Sequence, residues 1–186
     1  PLRKRFPGYL VKSTGPHKLG CLMFVLPDPL RKEIVDWVLE NIPDSHLGVG
    51  GRELQPHVTI CYGFTESTPE TVDVLRSLLV REGPIYFGLD NTLSLFRGND
   101  DGDVLKINVI CPQLEDLHYN IVNSFPVEVK YPQYIPHLTL AYVRPEVAEM
   151  CLTYPCPFAG REDVGVAAEW SGADGTREAN PLAFPE

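Results

Sequence analysis

The sequence predicts an α+β fold built by internal duplication, and three observations lead there. Apolar strand-like runs alternate with stretches of helical spacing from Leu19 to Trp170. Two strand-to-helix passages match: PHVTICYG at 56–63 leads to Thr68-Pro69-Glu70, and PHLTLAYV at 136–143 leads to Arg144-Pro145-Glu146. The chain of 186 residues, 44% hydrophobic and 22% charged, is long and apolar enough to close one substantial core. Residues 1–186 therefore read as a single domain, with lobes at about 19–83 and 84–170 and a flexible tail at 171–186.

The elements follow in order. LGCLMFVL at 19–26 is a strand with few polar interruptions, and Asp28-Pro29 opens a helix in which proline gives up no needed amide. Leu30, Ile34 and Val38, with Val35, Leu39 and Ile42, make its apolar face, and it ends near Pro43. DSHLGVGGREL at 44–54 reads as a loop, and HVTICYGF at 57–64 as the next strand. After Thr68-Pro69-Glu70, the spacing of Val72, Leu75, Leu78 and Leu79 predicts a second helix. IYFGLDNTLSLF at 85–96 and VLKINVIC at 104–111 read as neighbouring strands joined by the polar turn RGNDDGD.

Residues 113–125 carry Leu114, Leu117, Ile121, Val122 and Phe125 on one helical face. His118 sits beside that face and reads as a surface or packing histidine rather than a catalytic one. IPHLTLAYV at 135–143 is a strand, and Val147, Met150 and Cys151 mark a short helix. A last strand is expected around Asp163 to Trp170.

A net charge of −9 and a pI near 5.0 argue against a broad basic face for long nucleic acid, while leaving room for a few phosphates in a local site. Arg3, Lys4 and Arg5 read as a solubilising terminal segment. No apolar run approaches membrane-spanning length and PLRKRFPGYL lacks the regions of a secretory signal, so a cytoplasmic protein without membrane association is expected. Cys21, Cys61, Cys111, Cys151 and Cys156 form no CxxC pair and read as buried thiols.

Chemistry concentrates in the two matched strands. Strict alternation puts His57, Thr59 and Cys61 on one face and Val58, Ile60 and Tyr62 on the other; the second copy divides His137, Thr139 and Ala141 from Leu138, Leu140 and Tyr142. Tyr62 and Tyr142 thus fall on the expected core side. Pro56 and Pro136 bias Gln55 and Ile135 toward extended backbone at the strand entrances. One such histidine alone reads as ordinary strand-edge structure. Two, facing each other, supply a neutral base and a protonated acid for cleaving a phosphodiester by in-line displacement. Thr59 and Thr139 are placed to donate to non-bridging phosphate oxygens; their alternative is β-branched packing.

The stretches His57-Val58-Thr59-Ile60 and His137-Leu138-Thr139-Leu140 resemble the paired H-x-[ST]-x signature of the 2H phosphoesterase superfamily. The resemblance covers about residues 19–143. It implies a duplicated fold of mainly antiparallel sheet lobes around a central cleft, His57 and His137 as the acid and base pair, and Thr59 and Thr139 as phosphate holders. It implies no cofactor and no metal. It leaves open which histidine begins as the acid. The substrates it implies are 2',3'-cyclic phosphates, cyclic nucleotides, short oligonucleotides or RNA ends.

The sequence leaves further contacts open. Tyr131 and Tyr134 precede the second motif and either touch substrate or close the lobe interface. Lys106 and Asn108 alternate with Leu105, Ile107 and Val109, and either border the cleft or form a solvated strand face. The leading expectation is a metal-independent phosphodiesterase; the alternatives are a catalytically inactive nucleotide or RNA-end binding module and a structural domain.

Overall fold

The computed structural model describes residues 19–66, 68–131, 133–165, 167–172 and 177–181. The terminal basic cluster lies outside these residues. Four helices lie among nine strands here: β1 Gly20–Val25, α1 Asp28–Asn41, β2 Leu47–Arg52, β3 His57–Phe64, α2 Pro69–Glu82, β4 Ile85–Phe96, β5 Asp103–Ile110, α3 Pro112–Ser124, β6 His137–Val143, α4 Ala148–Cys151, β7 Glu162–Gly165, β8 Ala167–Ser171 and β9 Arg177–Pro181.

The helices begin where prolines allow. Pro29, Pro69 and Pro112 all occupy first-turn positions, and Thr68 caps α2 by accepting the Thr71 amide at 3.2 Å. Leu30, Ile34 and Val38 of α1, Leu75 and Leu79 of α2, and Leu114, Leu117 and Ile121 of α3 are buried with strand residues Phe24, Val58, Ile60, Leu138 and Leu140 in one core. The thiols of Cys21, Cys61, Cys111 and Cys151 are free and buried.

All pairings are antiparallel, in the order β7-β4-β5-β6-β3-β1-β8-β9, with β2 on β6 as well. Only residue 166 separates β7 from β8, although they stand at opposite flanks of the main run, so the sheet curls toward a barrel. Phe24 of β1 meets Phe87 of β4 edge-on at 5.4 Å across that curl.

The chain departs from the sequence expectation in three places. Residues 44–54 are not all loop: β2 pairs Leu47 with Val143 and Arg52 with Ala141. The single strand expected at 163–170 is two strands, and β8 joins β1 rather than the second lobe. Within the expected tail, residues 177–181 form β9 along β8.

Duplication is visible in the topology. β1 lies beside the histidine strand β3 as β5 lies beside the histidine strand β6, with α1 and α3 between the members of each pair in chain order. Each half lends backbone to the other. β2 of the first half pairs with β6, while Val127, after α3, bridges Phe64 of β3. Gly63, at φ +115°, makes the second exchange possible, because a Cβ there would stand 2.4 Å from the Glu128 carbonyl oxygen.

Candidate functional site

The two histidine strands β3 and β6 meet through one bridge, Val58 to Leu138. Antiparallel pairing centred on that bridge sets His57 opposite Thr139 and Thr59 opposite His137. Next to β6, Lys106 pairs with Thr139 and Asn108 with His137; next to β3, Val25 pairs with His57 and Met23 with Thr59. Both histidines and both threonines are half-buried, while the alternate residues Val58, Ile60, Leu138 and Leu140 are fully buried beneath. This sheet surface is the histidine face.

The two rings are held alike. His57 Nδ1 lies 2.8 Å from the Gln55 carbonyl oxygen, and His137 Nδ1 lies 2.8 Å from the Ile135 carbonyl oxygen. A carbonyl only accepts, so each Nδ1 carries the hydrogen and each neutral ring keeps its Nε2 lone pair for other work. The intervening Pro56 and Pro136 are buried, and each fixes its φ between the carbonyl and the histidine that binds it.

Burial holds His137 below the ordinary histidine range; the bond to Ile135 opposes this, and the positive charges of Lys106 and His57 add to it. Lys106 is itself buried, donating to Ser94 Oγ at 3.1 Å and to Asn108 Oδ1. That burial lowers its ammonium pKa, with Asp90 opposing. A solvated strand face is thereby excluded for Lys106, and Asn108 is half-buried beside it.

Both histidine strands are bulged, and the bulges correct the sequence reading. The β1 register steps from Leu22–Cys61 to Met23–Thr59, leaving Ile60 extra; the β5 register steps from Leu105–Ala141 to Lys106–Thr139, leaving Leu140 extra. Two consecutive residues therefore face the core in each strand, and the alternation inverts beyond them. Cys61 and Ala141 go to the core, whereas Tyr62, 39% exposed, and half-buried Tyr142 share the histidine face. An extra residue at one place is invisible to strict alternation, yet the repeated tyrosine five residues after each histidine was its trace.

Two side chains meet backbone carbonyls at the bulge in β3. Tyr134 Oη donates to the Thr59 carbonyl at 2.9 Å, and His118 Nδ1 lies 2.7 Å from the Ile60 carbonyl. The Tyr134 and His118 rings stack at 4.0 Å with 4° between their planes. Of the two readings open for Tyr134, closing the interface between the halves is the one its geometry serves. Tyr131 is exposed and packs edge-on against Phe96 at 5.5 Å, near the Tyr142 end of the histidine face. Among the described residues no three His, Cys, Asp or Glu side chains gather as a metal site.

The family model for the 2'-5' RNA ligase superfamily matches residues 26–156, a span holding both histidine strands. The chain belongs to the 2'-5' RNA ligase superfamily. This agrees with the 2H phosphoesterase signature, and membership supports an enzyme of phosphodiesterase type. No curated protein sequence matches the chain significantly. Among solved structures, TT0787 of Thermus thermophilus is 16% identical with a TM-score of 0.57, covering 90% of this chain and 99% of its own. LigT of E. coli complexed with 3'-AMP is 18% identical with a TM-score of 0.57, covering 91% and 99%. Usb1 of Kluyveromyces marxianus with uridine monophosphate is 11% identical with a TM-score of 0.53, covering 89% and 99%. At these identities the likeness shows the fold. No helix among the described residues is long and apolar enough to cross a membrane.

Proposed function

We propose that this superfamily member is a phosphodiesterase that opens 2',3'-cyclic phosphates or cleaves short oligonucleotides by paired-histidine acid and base catalysis. The observation that carries the reading is the matched bond from each histidine Nδ1 to the carbonyl two residues earlier, which leaves both Nε2 atoms for proton transfer. Nucleotides bound to LigT and Usb1 support a nucleotide substrate.

A phosphate over the seam between β3 and β6 meets Thr59 and Thr139 hydroxyls as donors to its non-bridging oxygens, with the buried Lys106 charge beside Thr139. His137, held neutral by burial and by Lys106, takes a proton from the attacking water. His57, on the opposite diagonal, enters protonated and gives its proton to the departing ribose oxygen. One P–O bond forms, one breaks, and a cyclic phosphate becomes a phosphomonoester with a free hydroxyl. The exchange of protons leaves the histidines in reversed states, which solvent resets. No step requires a metal.

Product-resolved turnover of nucleoside 2',3'-cyclic phosphates in chelator-treated buffer tests this. His57→Ala and His137→Ala are each expected to lose about a hundred- to ten-thousand-fold in kcat. Full turnover by either variant overturns the mechanism, and tight nucleotide binding without product from the unmodified chain indicates a binding module.

A further inference from the structure

Beyond His137 the histidine face continues onto β5, β4 and β7, and this continuation is not packed. Ile110 pairs with Gly88, Gly88 with Glu162, and Tyr86 with Val164. Tyr86 is 67% exposed, Ile110 is 62% exposed, and Val164 is exposed as well. They line a shallow hollow of about 660 Å³ with Gly88 and Glu162. Single apolar residues are common on surfaces, whereas an aromatic ring, an isoleucine and a valine around a glycine floor form a patch. Gly88 leaves the floor low without being crowded, since a Cβ there would meet its nearest neighbours, Ile110 Cβ and Glu162 Cγ, at 3.9 and 4.0 Å.

The hollow lies on the same sheet face as the candidate site. Asn108, paired with His137, lies one pleat repeat from Ile110 on the same strand face. With strands about 4.8 Å apart and about 6.8 Å per pleat repeat, the floor lies on the order of 13 Å from the seam where Thr59 and Thr139 would hold phosphate. That is farther than a nucleoside reaches from its own phosphate, and within reach of the neighbouring nucleoside.

We infer that the Tyr86–Gly88–Ile110–Val164 hollow is a base subsite for the nucleoside one step beyond the one that carries the phosphate held at the seam, so that the substrate is an oligonucleotide rather than a cyclic mononucleotide. The inference rests on the proposed phosphodiesterase reading. A flat, apolar ring fits the glycine floor and stacks against tyrosine in the manner of single-stranded nucleic acid sites. Glu162 adds a direction. Its carboxylate makes no hydrogen bond or ion pair among the described residues, while neighbouring Asp163 pairs with Arg161 at 3.1 Å. A carboxylate only accepts, so it favours the base edge with the most adjacent N–H donors, which is guanine, and disfavours uracil, whose single N–H lies between two carbonyls.

Calorimetry with 3'-phosphate-ended GpUp, UpUp and Up tests this, on the unmodified chain, Gly88→Val and Glu162→Gln. Valine suits a strand and Gly88 has ordinary contact distances around it, so Gly88→Val fills the hollow without disturbing the fold. The first nucleoside of GpUp is expected to tighten binding about 5- to 150-fold over Up, the span of one stacked base. Gly88→Val is expected to erase that gain, Glu162→Gln to reduce the preference of GpUp over UpUp, and both to leave Up unchanged. Equal affinities for GpUp and Up in the unmodified chain overturn the subsite, as does a dimer in light scattering that Gly88→Val dissociates. Turnover of GpU ending in a 2',3'-cyclic phosphate separates the two readings: its absence with the binding pattern intact removes the mechanism alone, and its presence without the pattern removes the subsite alone.

Discussion

The two histidine strands are copies in backbone and opposites in surroundings. Each has a proline, a histidine bonded through Nδ1, a threonine two residues on, a bulge, and a tyrosine returned to the histidine face. Beside His57 and Thr59, however, stand Val25 and Met23, whereas beside His137 and Thr139 stand Asn108 and Lys106. Duplication thus supplies the geometry, while burial first and Lys106 on the flanking strand second make His137 less ready to hold a proton. An acid and base pair needs both: matched placement around one phosphate, and unlike readiness to hold a proton.

The threonines sharpen the symmetric half of this comparison. Thr59→Val and Thr139→Val keep β-branched packing and remove one donor each, and each is expected to lower kcat by about a hundred- to a thousandfold, measured on the best cyclic phosphate or dinucleotide. Comparable losses fit equivalent threonines; an unaffected variant breaks the equivalence.

Lys106→Met probes the asymmetric half. Because His137 lies below its ordinary range, activity that needs it neutral persists to lower pH than an ordinary histidine near 6.5 allows. Removing the Lys106 charge lets His137 hold its proton to higher pH, so the acid limb of kcat/KM moves upward. It remains below the ordinary position, because burial is the larger cause. A roughly tenfold loss in kcat/KM at neutral pH is expected from the missing phosphate contact. Stability carries the same sign. The folded state binds fewer protons at His137 than the unfolded chain, so stability falls as pH drops from the ordinary histidine value through the depressed one. An acid limb that does not move in Lys106→Met separates Lys106 from His137.

Tyr134→Phe has the smallest expected effect. It keeps the stack on His118 and removes the donor to the Thr59 carbonyl, at a cost of about 1 kcal/mol. Thermal melting is expected to fall by about 2–4 °C, with kcat changed less than in the threonine variants. No change in melting removes the clamp from the account.

The helices and the histidine strands were legible because proline entrances, apolar spacing and the repeated PHxT words are local features. β2 was not, because LGVGGR has neither alternation nor β-branched density. Its pairing depends on a contact distant in sequence: at Gly50 a Cβ would stand 2.3 Å from Tyr142 Cγ, so only glycine lets this strand cross that ring. The bulges were hidden for a related reason, since register is a property of two strands. The face of Tyr62 and Tyr142 therefore inverted between sequence and structure, while His57, Thr59, His137 and Thr139, ahead of the bulges, fell as the alternation required. Lys106 and Asn108 acquired meaning only when β5 was placed beside β6.

The most direct measurement is long-range ¹H–¹⁵N NMR of the two imidazoles across pH. Both neutral rings are expected to carry their hydrogen on Nδ1, with His137 titrating below the ordinary histidine value. Hydrogen on Nε2 in either neutral ring, or His137 titrating at or above that value, would contradict it.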